Sequence, residues 1–229
     1  MALVLGLVSA PVPSTFSGGT EGIALVVLLT EFAMLRAALS RSQIRLYAFQ
    51  SLVVSGLAAL MGVTTHVTAL FVLAGLSFVL KVLIVPGIML RQLRDAHFDV
   101  ATSKRTKVAT MVLLAIVVSA FGFFVVGRLP VHSHSLPTSA LGMAGASVLV
   151  AFLLVILRAD VVSQAVGFFA LENGVSVASM VVAAGMPLIL EVAFLFDLLV
   201  AVVVFGVLIK VHHGRGATLS TDALNRLQG

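Results

Sequence analysis

The chain reads as an all-α integral membrane protein, a bundle of about seven transmembrane helices. Hydrophobic residues make up 60% of its 229 positions and charged residues only 10%, and mean hydropathy is +1.20. Several runs also reach the roughly 20 apolar residues needed to cross a hydrocarbon core about 30 Å thick. That composition excludes a soluble domain. The chain has no cysteine, so it carries neither a disulfide nor a thiolate-ligated iron–sulfur cluster and is not itself an ordinary electron carrier.

Residues 1–21 open with a brief apolar run, but no basic segment precedes it, and Pro11, Pro13, Gly18 and Gly19 follow. This segment is expected to be an irregular external lead-in rather than a cleaved signal peptide. Seven spans follow at 22–39, 45–61, 67–90, 108–127, 139–157, 163–184 and 188–211, joined mostly by short loops. The membrane domain is thus 22–211, and 212–229 is a polar tail.

Orientation follows from the basic residues. Arg36, Arg41 and Arg45 lie between the first two spans; Arg91, Arg94, Lys104, Arg105 and Lys107 between the third and fourth; Arg158 between the fifth and sixth; and Lys210, Arg215 and Arg226 at or beyond the last. All twelve fall on one side. The opposite side keeps Arg128, and Lys81 lies within a span. Basic residues concentrate in cytoplasmic loops, which puts the N-terminus outside and the C-terminus in the cytoplasm of a bacterial or archaeal cell membrane. The net charge of +5 and pI near 10.5 are therefore loop asymmetry, and no nucleic-acid partner is indicated.

Four ionisable groups stand inside spans: Glu31, Lys81, Glu172 and Asp197. A charge at the bilayer centre costs about 2.5–3.5 kcal/mol on insertion scales, so such groups face the bundle interior and mark proton or ion paths. Glu172, Ser176 and Ser179 form one polar stripe, with Gly174 beside it to let another backbone approach. Lys81 shares a face with Ser77 and Ala74, and Pro86 removes a backbone donor one turn later, loosening the helix near the lysine. Gln50 shares a face with Tyr47 and Gln43. Glu172 and Asp197 lie at similar depth on consecutive helices joined by the tight VAAGMP turn, so a proton can pass sideways between them, through water or Lys81. These groups also admit a static reading, in which ion pairs fix helix register.

The remaining candidates are weaker. Glu191 lies near an external helix end, and Glu21 reads as solvated. His132 and His134 form an HSH pair without further ligands, and His212 and His213 read as a helix end. Gly142 and Ala146 form a small-residue packing pair. Neither a phosphate loop nor a nucleophile–base set is visible, so no catalytic, cofactor-binding or metal residues are assigned. Polar stripes on the second, third and sixth helices are not expected to face one another in a single small bundle, which would leave some for partner subunits to cover. Duplication of a three-helix unit is one further reading, and chance likeness of apolar segments is the other. LRAALSRSQIRLYAFQS aligns with LRADVVSQAVGFFALEN, setting Gln50 against Glu172 and, further on, Lys81 against Asp197.

YAFQSLVV at 47–54, KVLIVP at 81–86, ALENG at 170–174, then Pro187, Glu191, Asp197 and the closing TDALNRLQG resemble component E of hydrogenase-4. The resemblance runs from about residue 22 to the end. The last three helices also look like the K subunit of respiratory complex I, though with Asp197 rather than Glu as the second acid and a shorter connection. The resemblance implies a non-catalytic subunit in the membrane arm of a group 4 hydrogenase, formate hydrogenlyase or related complex-I-like assembly. Its partners would be antiporter-like membrane subunits and a peripheral hydrogenase-like, iron–sulfur arm. Carried onto this chain, Glu172 and Asp197 are relay carboxylates and Lys81 their charge partner, with Gln50, Glu191 and Glu31 secondary. A small stand-alone secondary transporter and a purely structural scaffold are the alternatives. Against the transporter, seven spans do not divide into equal halves.

Overall fold

The computed structural model describes residues 14–95, 108–128 and 138–183. They form helical rods joined by short connections. Helix α1 is Ser14–Arg36, α2 is Ser40–Thr65, α3 is Thr68–Ser77, α4 is Val85–Asp95, α5 is Val108–Val126, α6 is Thr138–Leu157 and α7 is Val161–Ala183. Helices α3 and α4 belong to one continuous rod, joined by a π-helical stretch over Phe78–Ile84. There are therefore six rods among the described residues, and five contain a stretch long and apolar enough to cross a membrane. The remaining rod, α1, carries Glu21, Glu31 and Arg36. The expected span 188–211, with Glu191 and Asp197, lies outside the described residues, as does the loop bearing His132 and His134.

Two boundaries differ from expectation. Helix α1 begins at Ser14, so 14–21 continue a helix where an irregular segment was expected; Pro13 just before it is a residue that suits a helix start. The third rod is not merely loosened at Pro86. The N–H of Val85 donates to the carbonyl of Leu80, a five-residue step, and Pro86 has no N–H with which to continue the normal four-residue ladder. The chain accommodates this by widening into π geometry, a feature common at functional sites. At the end of α2 the backbone reverses at His66, in the left-handed region (φ 54°).

Helices α1 and α2 form one hairpin, and α6 and α7 another. The hairpins pack side by side, α1 along α6 and α2 along α7, while the third rod lies against α2 and α5 against α6. Residues set opposite one another by aligning 35–51 with 157–173 meet at this junction. The rings of Tyr47 and Phe169 stand 5.4 Å apart between centroids, and the side chains of Ser51 and Asn173 are hydrogen-bonded at 2.9 Å.

Small residues set the close approaches. A side chain at Gly174 would meet the backbone nitrogen of Val148 at 3.1 Å and Ser147 Oγ at 3.3 Å, so this glycine seats α7 against α6. A side chain at Gly122 would meet the Cα of Ala146 at 2.9 Å, which brings α5 onto the small-residue face of α6. Outward faces are apolar: Leu113, Val117, Phe121 and Phe124 of α5 are exposed, as lipid-facing side chains are in a multi-pass membrane protein.

Candidate functional site

Buried polar residues occupy two layers where the hairpins and the third rod meet. The inner layer contains Glu31 of α1, Gln50 and Ser51 of α2, Lys81 of the π-helical stretch, Ser147 of α6, and Glu172 and Asn173 of α7. Lys81 and Glu172 form an ion pair, Nζ to Oε1 at 2.9 Å, with the side chains only 5% and 2% exposed. The π-helical stretch sets the azimuth of Lys81, which is turned inward with Ser77 and Ala74. Ser77 meets Ser55 of α2 at 3.1 Å.

The polar stripes thus meet one another. The expectation that those on the second, third and sixth helices would not share one bundle is wrong: Gln50, Lys81 and Glu172 converge, with Asn173 between them. The π-helical turn reorients the third rod, and Gly174 lets α7 sink deep enough to present two adjacent polar residues inward. Asn173 rather than Ser176 or Ser179 joins the network, and those two serines are only half-buried.

From Lys81 the described contacts lead toward α1. Its Nζ lies 3.5 Å from Asn173 Oδ1, a long ion–dipole contact. Asn173 Nδ2 donates to Gln50 Oε1 at 3.1 Å and to Ser51 Oγ at 2.9 Å. Gln50 Nε2 donates to Glu31 Oε1 at 3.0 Å and to the carbonyl of Val27 at 3.1 Å. Ser147 also donates to Glu31 Oε1. Glu31 Oε2 and Glu172 Oε2 are buried and accept no hydrogen bond.

A second layer closes the end at which both hairpins turn. Gln43 stands two helical turns from Gln50, about 10 Å along α2 at 1.5 Å per residue, with the Tyr47–Phe169 contact between. Gln43 donates to the carbonyl of Met34 at 3.0 Å and accepts from Ser163 Oγ. Arg158, only 3% exposed, donates to the carbonyls of Leu35 at 2.7 Å and Ala37 at 2.9 Å. It therefore satisfies acceptors at the C-terminus of α1 and places a cation where the helix dipole favours one. Asp160 begins α7, its Oδ1 accepting the N–H of Ser163 at 2.7 Å, an N-cap bond. Burial pushes the Arg158 guanidinium down from its ordinary value against the opposing charge of Asp160. Burial likewise pushes the Asp160 carboxyl up, opposed by its hydrogen bonds from Ser163 and by Arg158.

The sequence reading placed Arg158 in a loop and did not single out Asp160, Ser163, Asn173, Ser51 or Ser147. Asn173 had a signal, because that alignment sets it against Ser51, its hydrogen-bond partner. Ser147 follows the small-residue pair on α6, where packing was the only role expected. At the other end of the bundle Glu21, read as solvated, is half-buried and accepts a hydrogen bond from Ser139 of α6. Among the described residues there is no cluster of three metal-ligating side chains.

A rod bundle with several membrane-length helices around a buried ion pair defines a multi-pass membrane protein with a charged interior. The chain is similar to hydrogenase-4 component E of Escherichia coli K12, at 26% identity over 211 residues, covering 91% of this chain and 97% of the relative. The Shigella flexneri protein of the same name matches equally. An uncharacterised protein of Mycobacterium tuberculosis is 28% identical over 169 residues, covering 73% of this chain and 77% of that one. No family model and no solved structure matches.

Proposed function

We propose that the chain is a non-catalytic membrane subunit of a complex-I-like hydrogenase or formate hydrogenlyase-type complex, in which its buried charges form part of a lateral proton path. The observation that carries the relay is the buried Lys81–Glu172 ion pair, 2.9 Å from Nζ to Oε1. A carboxylate paired with a lysine changes its proton affinity whenever that lysine moves or discharges. The near end-to-end similarity to hydrogenase-4 component E supports membership of a hydrogenase complex.

In this reading Glu172 and Lys81 exchange or gate protons, Asp197 continues the path on the following helix, and Gln50, Glu31 and Glu191 are secondary members. The last three helices play the part that the K subunit plays in respiratory complex I. The N-terminus is external, the C-terminus cytoplasmic, and the neighbours are antiporter-like subunits and a peripheral iron–sulfur arm. Purification of the tagged chain from its native membrane in mild detergent tests the assembly. Co-purifying iron–sulfur and hydrogenase-like subunits are expected; a lone homo-oligomer active in transport would overturn it.

A further inference from the structure

Asn173 is a buried polar residue that the proton path leaves without a role. It directly follows Glu172 on α7 and is fully enclosed. Lys81 Nζ lies within reach of both, 2.9 Å from Glu172 Oε1 and 3.5 Å from Asn173 Oδ1. The second separation exceeds an ordinary N–H···O bond by about 0.6 Å. A lysine head on its flexible four-carbon stem can cover that distance by a small movement.

The neighbours of Asn173 decide which way its amide faces. An ammonium only donates, and a backbone carbonyl only accepts. Gln50 therefore turns its NH₂ toward the carbonyl of Val27, 3.1 Å away, which leaves its Oε1 facing Asn173. From the other end, Lys81 requires an acceptor and so meets the amide oxygen of Asn173. Both constraints give the same orientation. The Nδ2 hydrogens then go to Gln50 Oε1 at 3.1 Å and Ser51 Oγ at 2.9 Å, both on α2. Turning the amide over would set oxygen against oxygen at Gln50 and an NH₂ against the ammonium at Lys81. Asn173 Oδ1 is thus a fixed, neutral acceptor beside a movable cation.

We propose that Asn173 is a positioning residue for Lys81, its amide oxygen serving as a second resting place for the ammonium when Glu172 takes up a proton. While Glu172 is ionised, its charge holds the ammonium at 2.9 Å. Protonation of Glu172 removes that charge attraction, and Asn173 then keeps the cation close, ready to return when the proton leaves. Asn173 passes no proton itself. It favours the state in which Glu172 is protonated over the state in which Glu172 already holds the lysine. The charged groups of this layer among the described residues are Lys81 of the third rod, Glu172 of α7 and, beyond Gln50, Glu31 of α1; α2 and α6 present the neutral Gln50, Ser51 and Ser147. The inference rests on reading Lys81 and Glu172 as the charged pair of the relay. A plain tie between α7 and α2 is the rival role for the same hydrogen bonds.

Infrared difference spectroscopy of the assembled complex, titrated over pH, tests this apart from pumping. The probe is the carboxylic-acid carbonyl band that is lost when Glu172→Gln is added to each background. In Asn173→Leu, which removes the acceptor at similar size, the band should appear only at lower pH than in wild type, by about one unit. In Asn173→Asp, which keeps the shape but places an acid beside Glu172, it should appear at higher pH. Ser51→Ala breaks one bond of the tie and leaves Asn173 Oδ1 beside Lys81, so its band should stay near the wild-type pH. A tie alone gives no shifts of opposite sign, because both Asn173 variants disturb the bonds to α2. An unshifted band in both would overturn the inference, as would one common shift in all three variants, or failure of both Asn173 variants to assemble. Should only the leucine variant fail to assemble, the direction of the Asn173→Asp shift decides. If the shifts are as expected while Glu172→Gln pumps normally, the positioning role stands and the relay reading fails. If Glu172→Gln stops pumping while the band ignores Asn173, the relay stands and the positioning role fails.

Discussion

Lys81 Nζ lies 2.9 Å from Glu172 Oε1, and neither side chain has appreciable exposure to solvent. The pair ties the third rod to α7, two elements that are otherwise joined through α2. The lysine sits in the part of its rod where the backbone has left α geometry. A π-helical turn, a buried base and a buried acid thus share one contact, so a change in protonation there acts on helix geometry as well as on charge.

Arg158 is expected to be the most important side chain for joining the two hairpins. Its removal leaves the carbonyls of Leu35 and Ala37 without their charged donor, at about 1–3 kcal/mol for each buried group left unsatisfied. Arg158→Ala should lower the thermal unfolding midpoint in detergent clearly. Arg158→Lys should recover only part, because a lysine head does not reproduce the planar fork. An alanine variant as stable as wild type would contradict this role.

The positions of the helical rods were legible because apolar length is a strong signal: each rod among the described residues lies at an expected span, and five of the six are long and apolar enough to cross a membrane. The inward faces of Gln50 and Lys81 were legible for the same reason: a polar group in an apolar helix has few other places to go. Asn173 was not, since periodicity alone favoured the Ser176 and Ser179 stripe, and only the close seat at Gly174 decides how α7 is rotated. Arg158 was misplaced because a basic residue in a short loop normally faces solvent. Here the carbonyls at the end of α1 offer it a buried partner that no local pattern announces. The convergence of three stripes was missed because the π-helical turn that reorients Lys81 has no simple sequence period.

Asp160 links stability to pH. Its folded carboxyl is held above the ordinary aspartate value, chiefly by burial, so the proton favours the folded state. The stabilisation from this group is complete below the unfolded value of about 3.9 and is lost as pH rises through the higher folded value. Asp160→Asn retains an N-cap acceptor for Ser163 but cannot ionise. Unfolding midpoints measured from pH 4 to pH 8 should therefore fall less with rising pH in the asparagine variant than in wild type. Equal slopes would show that Asp160 does not titrate in this range.

Topology is tested by single cysteines in a chain that has none of its own. A thiol at Ser42, exposed in the first turn of α2 on the basic side, should react with a membrane-impermeant reagent only in inverted vesicles. One introduced at Ser103 or Ser220 should behave likewise. Labelling of these positions from outside intact cells would reverse the proposed orientation.

Relay and scaffold are separated by changing charge rather than size. Glu172→Gln and Asp197→Asn keep shape and hydrogen-bonding capacity but cannot exchange a proton, whereas Asp197→Glu keeps the carboxylate. If these acids relay protons, the amide variants should assemble and sustain electron transfer while coupled proton movement falls, and Asp197→Glu should retain much of it. Lys81→Met should also reduce coupling. Lys81→Arg should be milder if only charge is needed, and as harmful as methionine if the lysine must give up its proton, because arginine remains charged. A scaffold predicts a different outcome. Breaking a buried pair by removing one partner costs about 3–5 kcal/mol, so Glu172→Gln would take away the carboxylate beside Lys81 and impair assembly itself, and the double variant Glu172→Gln/Lys81→Met would restore it. Assembly measured by co-purification and proton uptake measured in sealed vesicles read the two apart. Amide variants that assemble and pump at the wild-type stoichiometry would remove Glu172 and Asp197 from the proton path.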